Sequence, residues 1–140
     1  VTFLTGIIIT GHGYFAQGIM SAARLIAGDA EMISEVNFPE GMDINELREN
    51  METAIRDMST SQILILTDIM GGSPFNTASQ LLTEISEKEL NIITGTNLAA
   101  VLQAIFSRES IPYEQLAAEI IQAGKEGLND IASMLTAASN

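Results

Sequence analysis

Three observations predict an α/β chain built on a doubly wound, mainly parallel four-stranded sheet with helices on both faces. Apolar runs alternate with amphipathic segments four times in succession, an order that favours parallel strands joined by right-handed crossovers. The runs are nearly continuous, as in Ile7-Ile8-Ile9 and Ile63-Leu64-Ile65-Leu66, which is what strands covered on both faces require. Two of these runs end in glycine-bearing turns that hold reactive side chains, and the carboxyl ends of strands are where open α/β sheets place their ligands. The expected strand order is 2-1-3-4.

Each element follows from local chemistry. Phe3 to Thr10 forms the first strand, and Gly11-His12-Gly13-Tyr14 turns it into a helix whose apolar positions Phe15, Ile19, Met20, Ala23, Ile26 and Ala27 fall on one face. Gly28 ends that helix. Glu31 to Phe38 is the second strand, and Pro39-Glu40-Gly41 supplies the turn after it. Asp43 with Glu46 reads as a capping box for a helix with Ile44, Leu47, Met51, Ala54, Ile55 and Met58 on its buried stripe. Gln62 to Thr67 is the third strand. Ser73 as N-cap and Pro74 at the first helical position start a helix that reaches about residue 85. Leu90 to Thr94 is a fourth strand, followed by a Gly95-Thr96-Asn97 turn and a helix from Leu98 to about Phe106. Pro112 begins another helix, reaching about Ala123. Beyond Gly124 and Gly127 the tail from Leu128 to Leu135 fits a helix or a fifth, edge strand.

Composition narrows the function. At 140 residues the chain is expected to be one domain, 1–140. A net charge of -12 with six Lys and Arg speaks against a nucleic-acid or anionic-membrane surface and for a basic protein partner. The absence of cysteine removes disulfides, thiol chemistry and Cys-based metal sites. The N-terminal apolar run is too short to span a bilayer and lacks a basic leader, so the cytoplasm is the expected compartment.

His12 is the sole histidine. It follows strand 1 and Asp68 follows strand 3, and the reversal in strand order makes those two strands neighbours, so both side chains meet in one crevice. A neutral imidazole attacks through its unprotonated nitrogen, and a carboxylate that holds the other nitrogen's proton fixes that tautomer and stabilises the positive ring formed on phosphorylation. Asp68 can do this for His12. The turn at Gly71, Gly72 and Ser73 offers backbone N–H groups and the positive end of a helix to an anion. The Ser73 hydroxyl either donates to a phosphate oxygen or caps the helix. Thr10 and Thr67 end their strands nearby and are weaker, more structural candidates.

Other chemistries fit less well. A histidine phosphatase needs an arginine before the histidine and a second histidine; here Gly11 precedes His12, which stands alone. A receiver domain needs an acidic pair after strand 1, and a flavin site wants a Ser/Thr-rich loop there. One histidine and one aspartate are too few ligands to prefer a metal, and no Gly-rich nucleotide motif of the Walker or dinucleotide type is present.

The Thr10-Gly11-His12-Gly13 strand end, the segment Asp68 to Asn76 with its GGSPFN core, and the Gly95-Thr96-Asn97-Leu98 turn resemble the IIA components of the mannose/fructose/sorbose family of the bacterial phosphoenolpyruvate-dependent sugar phosphotransferase system. The resemblance covers essentially the whole chain. It implies that His12 accepts a phosphoryl group from phospho-HPr and passes it to a IIB component, while membrane IIC and IID subunits move the sugar and set much of the sugar specificity. It further implies the orienting role of Asp68, the phosphate contact of Ser73, no cofactor, and a homodimer, in some relatives made by exchange of a C-terminal strand. A stand-alone IIA protein is expected, because no Ala/Pro linker or IIB domain follows. Met70 stands where many relatives carry a larger or aromatic residue. The phosphoryl-carrying subunit of a dihydroxyacetone kinase system is similar in fold and active histidine, but tends to have Ser where Gly13 stands. From another class, a non-enzymatic module could bind a phosphorylated ligand in the same crevice and signal by protein contact.

Overall fold

The computed structural model describes residues 4–139. The elements are β1 (Gly6–His12), α1 (Phe15–Ala27), β2 (Ile33–Phe38), α2 (Ile44–Asp57), β3 (Gln62–Thr67), α3 (Gly72–Glu84), β4 (Glu89–Ile93), α4 (Leu98–Ser107), α5 (Tyr113–Glu126) and α6 (Ile131–Ser139). The four strands form one sheet in the order β2-β1-β3-β4 with every pairing parallel, as expected.

Side-chain alternation along the two central strands sorts the core into two halves. Ile7, Ile9, Leu64 and Leu66 pack with Met20 and Ala23 of α1, Val101 and Ala104 of α4, and Leu116 and Ile120 of α5. Ile8, Ile63 and Ile65 point the other way, onto Leu47, Met51 and Ile55 of α2 and Ala78 and Leu81 of α3. Fully burying one such Leu or Ile contributes about 1.5–3 kcal/mol, so the sheet is held from both sides and its carboxyl end is a rigid platform. At the opposite end, the buried Arg108 donates to the carbonyls of Thr5, Glu31 and Met32 and ties the strand starts together.

Several boundaries differ from the sequence reading, each for a local reason. Among the described residues β1 begins at Gly6, and Phe3, expected at its start, lies outside them. At its far end β1 continues to His12 because Gly11 and His12 still pair with Asn37 and Phe38. β2 begins at Ile33 because Met32 has a φ of 60, which breaks the extended chain before it. Asp43 caps α2 as expected, but it accepts from the Asn45 N–H at 2.6 Å, and among the described residues no bond to Glu46 completes a capping box. α5 runs through Gly124 to Glu126: a Cβ at Gly124 would lie 3.3 Å from that of Ala100, so this glycine serves close α4–α5 packing and does not stop the helix. The tail is helical, and the described residues contain no fifth strand. Asp130 favours the helix by accepting from the Ser133 N–H and hydroxyl at 3.2 and 2.6 Å. Leu128, Ile131, Met134 and Leu135 are exposed along this tail. Among the described residues no helix is long and apolar enough to cross a membrane.

Candidate active site

The parallel pairing of β1 with β3 sets Thr10 beside Thr67, so the next residues on each strand emerge together at the carboxyl edge. There the Asp68 carboxylate turns back onto His12. Its Oδ2 accepts from the His12 main-chain N–H at 2.9 Å and lies 2.9 Å from His12 Nδ1. Its Oδ1 accepts from the Ile69 N–H at 2.8 Å. Burial pushes the Asp68 pKa up, but the hydrogen bonds from the His12 main chain, the His12 ring and Ile69, with the attraction of the ring's charge, outweigh it, and the net shift is downward. The carboxylate therefore stays ionised near neutrality. With an anion at Nδ1 the ring proton sits on that nitrogen, and Nε2 keeps its lone pair.

Three further contacts define the imidazole's surroundings. Phe38 meets the ring edge-on with centroids 6.3 Å apart. Gly72 lies so close that a Cβ added there would be 2.7 Å from His12 Cε1 and 2.9 Å from Nε2. Gly11 leaves room beneath: a Cβ there would fall 2.8 Å from Asp68 Cγ and 2.7 Å from the Phe15 ring. His12 nonetheless keeps 47 % of its side chain exposed, against 15 % for Asp68. The geometry is that of a held but accessible imidazole.

The Gly71-Gly72-Ser73 turn meets this site, with one correction. Ser73 is not the N-cap; α3 begins at Gly72, with Gly71 in the cap position and no side chain capping. The double glycine, with φ of 87 and 81, lets the chain enter the helix before Ser73 is reached, and it frees the Ser73 hydroxyl from capping. Pro74 then falls within the first turn, where its missing N–H leaves no helical bond unmade. Thr10 and Thr67 are fully buried. The Thr67 hydroxyl donates to the carbonyls of Ile69 and Ile93 at 3.3 and 3.4 Å, which braces the loop that carries Asp68.

Charge at the site comes from the backbone and from Asp68. Arg24 pairs with Glu35, Arg48 with Glu52 and Glu84, and Arg56 with Glu52 and Glu87. Lys88 donates to the carbonyls of Met58 and Thr60, and Arg108 to those at the sheet's other end. None of these cations contacts His12, so an anion there would be met by N–H groups and the start of α3. Among the described residues no group of three or more His, Asp or Glu is arranged to hold a metal. The rim is apolar, with Tyr14, Ile69 and Met70 all more than half exposed.

The pairing of His12 with Asp68 was legible in the sequence, whereas the close approach of Gly11 to Asp68 and of Gly72 to the ring was not. The glycines were visible in the sequence, but only the fold shows which atoms a side chain would strike.

Fold and site together define a class: an α/β protein with a carboxylate-oriented histidine exposed at the end of a central parallel strand. Residues 6–121 match the family model described as the PTS system fructose IIA component. Over 124 residues the chain is 27 % identical to the PTS system mannose-specific EIIAB component of Escherichia coli K12, covering 87 % of this chain and 38 % of that protein. It is 29 % identical over 114 residues to the PTS system fructose-specific EIIA component of Bacillus subtilis 168, covering 81 % and 77 % respectively. The solved structure of a phosphotransferase system component EIIA from Streptococcus agalactiae superposes with a TM-score of 0.87 at 35 % identity, covering 93 % of this chain and 99 % of that one. The chain belongs to the mannose/fructose/sorbose family of PTS IIA components.

Proposed function

We propose that the chain is a single IIA domain, 1–140, that carries a phosphoryl group on His12 Nε2, taking it from phospho-HPr and giving it to a cognate IIB component. The observation that carries this reading is the Nδ1–Asp68 contact at 2.9 Å on a half-exposed imidazole. The Nε2 lone pair attacks phosphorus in line; the new N–P bond forms as the donor's N–P bond breaks, and that electron pair returns to the donor imidazole. His12 keeps its proton on Nδ1 throughout, and the Asp68 carboxylate stabilises the positive ring. The N–H groups of Gly71, Gly72 and Ser73 and the Ser73 hydroxyl hold the phosphoryl oxygens. Thr10 and Thr67 support the loops from below. Donor and acceptor are both phosphohistidines, so the step is nearly isoenergetic, and positioning with charge stabilisation does most of the catalytic work. No metal or nucleotide takes part.

The acidic surface, with a net charge of -12, favours a basic face on HPr. The phosphate passes from IIB toward membrane IIC and IID subunits, and the protein acts in the cytoplasm. A homodimer would cover the exposed apolar stripe of α6.

The test is incubation with phosphoenolpyruvate, enzyme I and HPr, followed by intact mass under non-acidic conditions. One acid-labile phosphate that requires HPr and is lost in His12→Ala is expected. Equal labelling of the His12→Ala variant would refute the assignment.

A further inference from the structure

The two glycines before Ser73 share a positive φ but not a neighbourhood. A Cβ at Gly71 would meet nothing within 4 Å, whereas one at Gly72 would strike His12 at Cε1 and Nε2. The ring has little freedom to give way: Asp68 holds Nδ1 and the main-chain N–H of the same residue, and Phe38 stands at its edge. A side chain at 72 would therefore shield Nε2 or drive the ring off Asp68. We propose that Gly72 is a positioning residue for His12, whose missing side chain lets the start of α3 back the Cε1–Nε2 bond while leaving Nε2 free to react. The proposal rests on the phosphoryl-carrier reading only for the identity of the natural electrophile.

The experiment compares Gly72→Ala with Gly41→Ala. Gly41 has a φ of 87, so alanine imposes similar backbone strain there, but its Cβ would meet nothing within 4 Å. Both variants are checked by thermal melting. The rate of reaction with diethyl pyrocarbonate, read as the ultraviolet absorbance of N-carbethoxyimidazole, is then measured together with the ring ¹⁵N shifts; with a sole histidine in the chain, both signals come from His12. Gly72→Ala is expected to react roughly tenfold more slowly or worse, in line with the cost of small misplacements at reacting centres, and to show altered ring shifts. Gly41→Ala should match the wild type in both. Equal rates and shifts for the two variants would overturn the proposal. If Gly72→Ala does not fold, the wild type decides: a nuclear Overhauser contact between Gly72 Hα and His12 Hε1 is expected, and its absence in resolved spectra would overturn the proposal. Labelling by phospho-HPr in parallel separates the two readings. A wild type that HPr does not label, with Gly72→Ala still slow toward diethyl pyrocarbonate, removes the carrier reading and keeps the role of Gly72.

Discussion

Replacing Asp68 by Asn tests how the site works, because it removes charge while keeping shape. In the wild type Oδ2 takes two hydrogen bonds from His12 and Oδ1 takes one from Ile69. The asparagine amide has one acceptor oxygen, and that oxygen best serves the position where two donors converge. The NH₂ group then faces the Ile69 N–H, so one hydrogen bond is lost there, at a cost of about 1 kcal/mol. The Nδ1 tautomer survives, but the positive ring formed on phosphorylation loses its counter-charge. A hydrogen bond to a charged partner is worth about 1.5–3 kcal/mol, and the lower part of that range applies because His12 is half-exposed. At about 1.4 kcal/mol per factor of ten, the variant should accept phosphate roughly 10- to 30-fold more slowly. Quenched-flow labelling with ³²P-phospho-HPr measures the rate, and a circular dichroism melt monitors the fold. A folded variant labelled at the wild-type rate would refute the orienting and charge-stabilising role.

Other outcomes follow from the same geometry. Gly11→Ala should cost about 1–3 kcal/mol by overpacking and slow labelling as Asp68→Asn does, because its Cβ would meet Asp68 Cγ at 2.8 Å; unchanged labelling would mean that Asp68 can shift without consequence. The folded-state pKa of Asp68 lies below its ordinary value of 3.8, so the unfolded chain binds the proton more tightly and stability rises with pH across that interval. The stability gap between wild type and Asp68→Asn, followed by urea titration, should be constant near neutrality and shrink as pH falls below that ordinary value. Met134→Asp with Leu135→Asp should lower the sedimentation-derived oligomer order while leaving His12 labelling by phospho-HPr intact; an unchanged assembly would exclude α6 as the interface. Labelling by phospho-HPr should slow as salt is raised from low ionic strength, since exposed charges are screened within about 10 Å at 0.1 M.

Much of the fold was legible because its signals are local or topological. Continuous Ile/Leu runs identified buried strands, and the β-α order gave the 2-1-3-4 sheet. Topology then brought His12 and Asp68 together although 56 residues separate them. The sequence signals that misled were those with two physical causes. A Ser-Pro pair normally marks a helix start, but at Ser73 the preceding glycines with positive φ had already opened the helix. Gly124 looked like a helix stop, yet its smallness serves contact with Ala100. The tail after Gly127 carried too short an apolar pattern to separate helix from strand, and the Asp130 cap settled it. At the site, the roles of Gly11 and Gly72 depend on distances to side chains far along the chain, which no local pattern encodes.

The most direct measurement is ³¹P and ¹⁵N correlation spectroscopy of the protein after reaction with phosphoenolpyruvate, enzyme I and HPr. A phosphorus coupled to Nε2 of His12, with Nδ1 still protonated toward Asp68, is the expected result. Phosphate on Nδ1, on another residue, or absent despite active donors would contradict the mechanism derived from the Asp68–His12 geometry.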